Sequence, residues 1–332
     1  MTRQRIGVVM GGTSAERDVS LATGRAVADA LSAAGHEVVR LDLGSGKDAL
    51  TTLAGARMDV AFLALHGRLG EDGCVQGVLE VLGVPYTGSD VLASALAMDK
   101  LKAKELFRLH NVPTPPYYEI RADEAATGVA EIHGSFGFPV VVKPRREGSS
   151  IGVALARDVG ELEVAVAAAL THDRSVLVER FISGREVAVG LLDDRVLGSI
   201  EIAPKKELYD FEAKYTPGMS EYFMPVRLPA TRMRGVLNVA ERAAQALGTR
   251  GACRVDLLVT EGMNEYVLEV NTLPGMTPTS LLPKIATAAG FSFTELCEAL
   301  IDRALRAGSA AGPSRTAEAP ELTKDRPLAV AV

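Results

Sequence analysis

ACRVDLLVTEGMNEYVLEVNTLPG, residues 252–275, carries the densest information in the chain. Two runs, residues 253–258 and 266–271, alternate polar with apolar side chains, the period of a strand with one face buried. A turn with its tip at Gly262 and Met263 makes them an antiparallel hairpin. That register sets Asp256 across from Glu269 and Arg254 across from Asn271, so four polar side chains share one face. Two carboxylates and an amide oxygen form a hard-oxygen set suited to Mg²⁺ bridging phosphates. The guanidinium beside them suits an anion, and the combination fits phosphoryl transfer with stabilisation of a developing oxyanion. A solvated hairpin face is the plainer alternative, but the loop that follows, residues 272–277, contains Gly275 and offers backbone N–H donors.

Upstream, the pattern is strand, glycine turn, helix. Residues 6–10 are apolar and end at Gly11 and Gly12; Leu21, Gly24, Val27, Ala28 and Leu31 then recur at helical spacing. Further strands are expected at residues 38–43, 60–65 and 84–86, alternating with helices over 75–82 and 91–109, which implies a parallel sheet covered by helices. The prolines at 113, 115 and 116 break the helical pattern and mark a linker. Beyond it, mixed α+β structure is expected: strands at 139–143, 151–155, 175–181 and 186–192 and a helix over 161–170. A further strand from 196, a polar loop through 215–221 and helices over 231–247 and 293–305 follow. The Ala-, Gly- and Pro-rich end is expected to be disordered.

Composition narrows the class. The 332 residues are 47% hydrophobic and carry 36 basic against 42 acidic side chains, a net charge of -6, which gives a nucleic-acid or anionic-membrane partner no global attraction. Cys74, Cys253 and Cys297 lie far apart without C-x-x-C spacing, which speaks against a disulfide framework or zinc site. No apolar run reaches membrane-helix length, and a cytoplasmic location is expected.

Other segments are weaker alone. Lys143 ends a strand and precedes the loop Glu147-Gly148-Ser149-Ser150-Ile151-Gly152, where a lysine can hold phosphates while the loop folds over them. It is not a Walker loop, because G-x-x-x-x-G-K-[ST] is absent. Glu179 and Glu186 bracket an apolar edge able to meet an adenine amino group and a ribose, or are simply surface carboxylates. Glu16, at a helix entrance, suits an ammonium group or helix charge compensation. His66 follows a strand at the sheet's carboxyl edge, where open α/β sheets bind ligands.

Together these segments resemble the D-alanine:D-alanine ligases of the ATP-grasp superfamily over roughly residues 5–305. The carriers are GGTSAERDVSL (11–21), ALHGRLGEDGCVQGVLEVLGVPYTGSDVLASALAMDK (64–100), VVKPRREGSSIGV (141–153), YDFEAKY (209–215), CRVDLLV (253–259) and EVNTLPGMTPTSLLP (269–283). The resemblance implies an ATP-grasp fold in α/β and α+β parts. A Rossmann-like parallel-sheet domain that binds substrate (1–100) precedes a central lid subdomain (101–190), a catalytic subdomain (191–306) and a disordered tail (307–332).

It also implies roles. Lys100, Lys143 and Lys214 belong to the ATP site, with Glu179, Arg180 and Phe181 at the adenine and Glu186 at the ribose. Asp256, Glu269 and Asn271 hold two Mg²⁺ (or Mn²⁺) ions. Glu16 grips the ammonium of the first D-alanine, while Ser280 and the Leu281 backbone take the carboxylate of the second. Arg254 and the Gly275 N–H face the tetrahedral oxyanion, His66 positions or deprotonates the incoming amine, and Glu16, Ser149 and Tyr215 form a network under a closing loop. Many relatives have Glu-Lys-Trp where this chain has Glu179-Arg180-Phe181. The implied activity is synthesis of D-alanyl-D-alanine through an acyl phosphate, by a homodimer. Ligases that use D-serine or D-lactate second are the nearest alternative. A non-catalytic regulator would be expected to lack metal ligands or Arg254, and a dehydrogenase to carry G-x-G-x-x-G.

Overall fold

The computed structural model describes residues 2–310 except 126, 127, 194, 206–215, 217, 263 and 278. Lys214, Tyr215 and the segment 311–332 therefore lie outside the described residues.

Strand β1 (Arg5–Gly11) is buried over most of its length because parallel partners flank it on both sides, β2 (Glu37–Leu43) and β3 (Val60–Leu63), in the order β2-β1-β3. Helix Arg17–Ala33 returns across this sheet and buries Ser20, Thr23, Gly24, Val27, Ala28 and Leu31 at the expected spacing. A Cβ on Gly24 would come within 2.6 Å of Met10, so the small residue sets how closely helix and strand approach. The expected strand at 84–86 reduces to one bridge between Ala61 and Tyr86.

The helix expected over 91–109 is two helices, Val91–Met98 and Lys100–Leu109. Asp99 makes the break. Its backbone is extended and its carboxylate accepts from Lys102 N at 3.2 Å, capping the second helix. The same carboxylate receives Arg145 Nε at 2.7 Å and Arg146 Nε at 3.0 Å, which ties the junction to the middle of the chain.

The middle sheet is antiparallel, in the order β4-β7-β5-β6, from Tyr117–Arg121 (β4), Val140–Pro144 (β5), Ala154–Ala156 (β6) and Ser175–Arg180 (β7). It packs on helix Val159–Ala169 around Ile120, Val142, Leu162 and Val178, a core of its own. The third sheet joins Arg185–Leu192 (β8), Arg195–Pro204 (β9), Ser220–Phe223 (β10), Ala252–Val259 (β11) and Glu265–Asn271 (β12) in the order β10-β9-β8-β11-β12. β8, which the expected boundary at 190 divides, pairs with β9 and β11 in this sheet.

One face of the third sheet packs on helix Ala230–Leu247, around Val255, Val267 and the buried thiol of Cys253. Its other face shares a core with the first sheet. There helices Leu281–Ala288 and Phe293–Ala310 lie between Ile200 and Leu192 on one side and Val8 and Phe62 on the other, with Cys297 buried among them. The last helix runs to Ala310, past the expected start of the tail at 307. Cys74 is exposed.

Candidate active site

The hairpin register is as the period-two pattern requires: Arg254 opposes Asn271 and Asp256 opposes Glu269. Arg254 donates from Nε (2.7 Å) and Nη2 (2.8 Å) to the two oxygens of Asp256, and Asn271 Nδ2 donates to Asp256 Oδ2 at 3.1 Å. Past Asp256 the register slips, Leu257 pairing with Val267, so Leu268 is an extra residue on β12. Such a bulge re-aims side chains. Here it brings Leu268 into the same cleft as its neighbour Glu269, which strict alternation would not permit.

That cleft, of about 490 Å³, lies between the second and third sheets and is lined by Lys100, Lys143, Glu179, Glu186 and Glu269 among others. Each wall follows from pairing. Val141 opposes Glu179 and Lys143 opposes Leu177, so Lys143 and Glu179 are diagonal neighbours on one face, with Nζ 2.7 Å from Oε1. Glu186 opposes Leu258 across β8 and β11 and shares its face. Lys100, on the first turn of its helix, donates to Glu147 O and stands 3.8 Å from Glu269. The guanidinium of Arg180 donates to Phe136 O at 2.7 Å and lies over that ring. Phe181 N–H is taken by Pro139 O at 3.1 Å.

The loop after β5 reaches the first domain, where Ser149 Oγ donates to Glu16. Ser149 and Ser150 both hold positive φ, 47° and 56°, which presents the turn to that carboxylate. A Cβ on Gly148 would lie 2.6 Å from Glu16 Oε2, so no side chain fits between loop and carboxylate.

His66 follows β3 and is 6% exposed. Its Nδ1 is 3.3 Å from Glu71, and its Nε2 is 3.5 Å from Thr23 Oγ1, which accepts from Met276 N. Burial disfavours the imidazolium, but the hydrogen bond and charge of Glu71 and the charge of Glu16 outweigh burial and the opposing Arg254, so the pKa is raised. Glu71→Gln removes the principal raising influence. His66 should then lose its proton at lower pH, and any limb of the kcat/KM–pH profile that it sets should move to lower pH. An unmoved profile would take His66 out of the controlling titrations.

The loop after the hairpin is braced internally. Thr277 N donates to Ser280 Oγ at 3.1 Å, and Ser280 precedes helix Leu281–Ala288, whose first N–H groups are unpartnered within the helix. A Cβ on Gly275 would sit 2.9 Å from Ser280 Oγ, which puts the two expected contributors side by side.

Two participants were not anticipated from the sequence. Lys104 is fully buried with Nζ 3.0 Å from Glu179 Oε1; its position four residues after Lys100, on the same helical face, was the available signal. Glu201, also lining the cleft, receives Arg227 and Arg185. Burial raises its pKa, but those arginines overcome it and hold the carboxyl at about 2.

Among the described residues no three His, Cys, Asp or Glu converge as a metal cage. The hairpin instead offers two carboxylates and an amide, a set that leaves positions open for phosphate oxygens.

Comparison with known proteins agrees with this geometry. The family model described as D-ala D-ala ligase C-terminus matches residues 106–302, and that for the N-terminus matches residues 45–89. The D-alanine–D-alanine ligase of Geotalea uraniireducens (strain Rf4) is 52% identical over 299 residues, 90% of this chain and 94% of that one. That of Geobacter sulfurreducens is 53% identical over 298 residues, 90% and 93% of the two chains. Among solved structures, the D-alanine–D-alanine ligase from Bacillus anthracis complexed with ATP superposes with a TM-score of 0.81 at 36% identity, covering 93% of this chain and 100% of that one. The VanG D-Ala:D-Ser ligase from Enterococcus faecalis gives 0.79 at 29% identity, covering 91% and 100%.

Proposed function

The chain belongs to the D-alanine–D-alanine ligase family, and we propose on that premise how its residues run the reaction. It joins two D-alanines to D-alanyl-D-alanine at the expense of ATP, for peptidoglycan synthesis. A carboxylate oxygen of the first D-alanine attacks the γ-phosphorus, forming an acyl phosphate and releasing ADP. The amine of the second D-alanine then attacks the acyl carbon, loses a proton, and phosphate departs. The observation that best supports this reading is the hairpin pairing, which joins a guanidinium to the acidic face beside the cleft.

In our assignment Lys100, Lys143 and Lys214 hold the triphosphate, Glu179 accepts from the adenine amino group beside the Arg180 and Phe181 backbone, and Glu186 meets the ribose. Asp256, Glu269 and Asn271 would hold two Mg²⁺ (or Mn²⁺) ions, whose contribution is to neutralise phosphate charge. The donors fit: Asn271 turns Nδ2 to Asp256, which leaves its Oδ1 for a cation. Glu16 binds the first ammonium, Ser280 and Leu281 N–H bind the second carboxylate, and Arg254 with Gly275 N–H stabilises the oxyanion. His66 is assigned to position or deprotonate the incoming amine. Tyr215, together with Ser149 and Glu16, closes the site against water, which would otherwise hydrolyse the acyl phosphate.

We also propose a homodimer in the cytoplasm, with division into an N-terminal, a lid and a catalytic unit. No described helix is long and apolar enough to cross a membrane.

The decisive assay is phosphate release with ATP, Mg²⁺ and D-alanine, with the product identified by chromatography and D-serine or D-lactate added in parallel. Release coupled to D-alanyl-D-alanine is expected. Mixed dipeptide or depsipeptide as main product would reassign the second substrate, and turnover independent of D-alanine would overturn the ligase reading.

A further inference from the structure

Glu179 sits between two ammonium groups. Lys143 Nζ, 2.7 Å from Oε1, comes from the cleft side, and Lys104 Nζ, 3.0 Å from the same oxygen, comes from behind. Lys143 lines the cleft, but Lys104 does not and has no exposed surface. Lys104 is also tethered: its Nζ donates to Thr114 Oγ1, and that hydroxyl donates to Val267 O on β12 at 2.9 Å. The Tyr117 ring lies 5.5 Å from the ammonium.

A nucleotide that enters the cleft changes the status of only one of these lysines. Lys143 can turn from Glu179 to a phosphate oxygen, because its side chain reaches the cleft. Lys104 is confined and cannot follow. Without it, the departure of Lys143 would leave a carboxylate that is 2% exposed with no counterion, and an unpaired buried charge is costly enough that the group would take up a proton instead. A protonated Glu179 is a poor acceptor. Both ammonium groups meet Oε1, so Oε2 is the oxygen left for a donor in the cleft.

We infer that Lys104 is a positioning residue for nucleotide recognition: a resident counterion that keeps Glu179 ionised and aimed at the adenine amino group while Lys143 is engaged by phosphate. The inference rests on the assignment of Glu179 to the base. Burial lowers the Lys104 pKa to about 8 against the pull of Glu179, so its ammonium is still the major form at neutral pH.

The test compares kcat/KM for ATP with that for inosine triphosphate, which has a carbonyl in place of the adenine amino group, in the wild type, Lys104→Met and Glu179→Gln. Loss of one charge-assisted acceptor predicts an ATP preference reduced about tenfold in Lys104→Met, with the double variant no worse than Glu179→Gln alone. A general packing defect would lower both nucleotides equally. If Glu179→Gln abolishes the preference while Lys104→Met keeps it within about twofold of wild type, Lys104 is merely structural and the inference fails. If Glu179→Gln itself leaves the preference intact, the base assignment fails and the inference falls with it. Should Lys104→Met not fold, Thr114→Val, which removes only the hydroxyl tether, is expected to lower the preference in the same direction; an unchanged ratio there would equally overturn the inference.

Discussion

Arg254→Met is expected to lower kcat by about 10²–10³-fold, the loss typical of removing one preorganised oxyanion donor. The guanidinium has little freedom in the native site, since two of its N–H groups bind the two oxygens of Asp256 at 2.7 and 2.8 Å. Preorganisation of this kind lets a donor act without reorganising as charge develops. The cleft assigned to the nucleotide is not lined by Arg254, so KM for ATP should move much less than kcat. Steady-state phosphate release at varied ATP and D-alanine separates these effects. A fall in kcat below about tenfold would remove Arg254 from the oxyanion role.

Asp256→Asn should be as severe in kcat, roughly 10²–10³-fold, for a different reason: it removes the carboxylate that holds the Arg254 guanidinium in place. Asp256 is 6% exposed and accepts from both Arg254 and Asn271, so neutralising it loosens two neighbours at once. As an assigned metal ligand it should also raise the Mg²⁺ concentration needed for half-maximal rate, an effect Arg254→Met should lack. Combining the two substitutions should cost less than the sum, because both break one contact. An unchanged Mg²⁺ dependence in Asp256→Asn would take that carboxylate out of the metal site.

The hairpin was legible because its signal is local. Alternation fixes which side chains share a face, and a tip at Gly262 fixes which ones meet. The slip after Asp256 was not legible, since nothing in the pattern marks Leu268 as the extra residue, yet that slip brings Leu268 into the cleft beside Glu269. The break at Asp99 escaped for a related reason. Helical spacing runs on through residues 91–109, and the carboxylate that interrupts it is held by Arg145 and Arg146, partners more than forty residues away. β4 was hidden behind a proline run that reads as linker, although Tyr117–Arg121 pairs fully with β7. Lys104 was within reach: a second lysine one helical turn beyond Lys100 points the same way, but only the sheet positions the Glu179 carboxylate in the cleft wall where Lys104 can reach it.

The three cysteines divide the molecule in a further way. Cys253 and Cys297 are buried in two separate apolar cores, and burial pushes their thiols up to about 11 and about 12, whereas Cys74 is exposed. Thiolate is the form that reacts with alkylating reagents, so each buried sulfur stays silent until its own core opens. Timed alkylation therefore turns the native sequence into two independent clocks. One reads the sheet that carries the hairpin, and the other reads the seam where the first and last parts of the chain are joined.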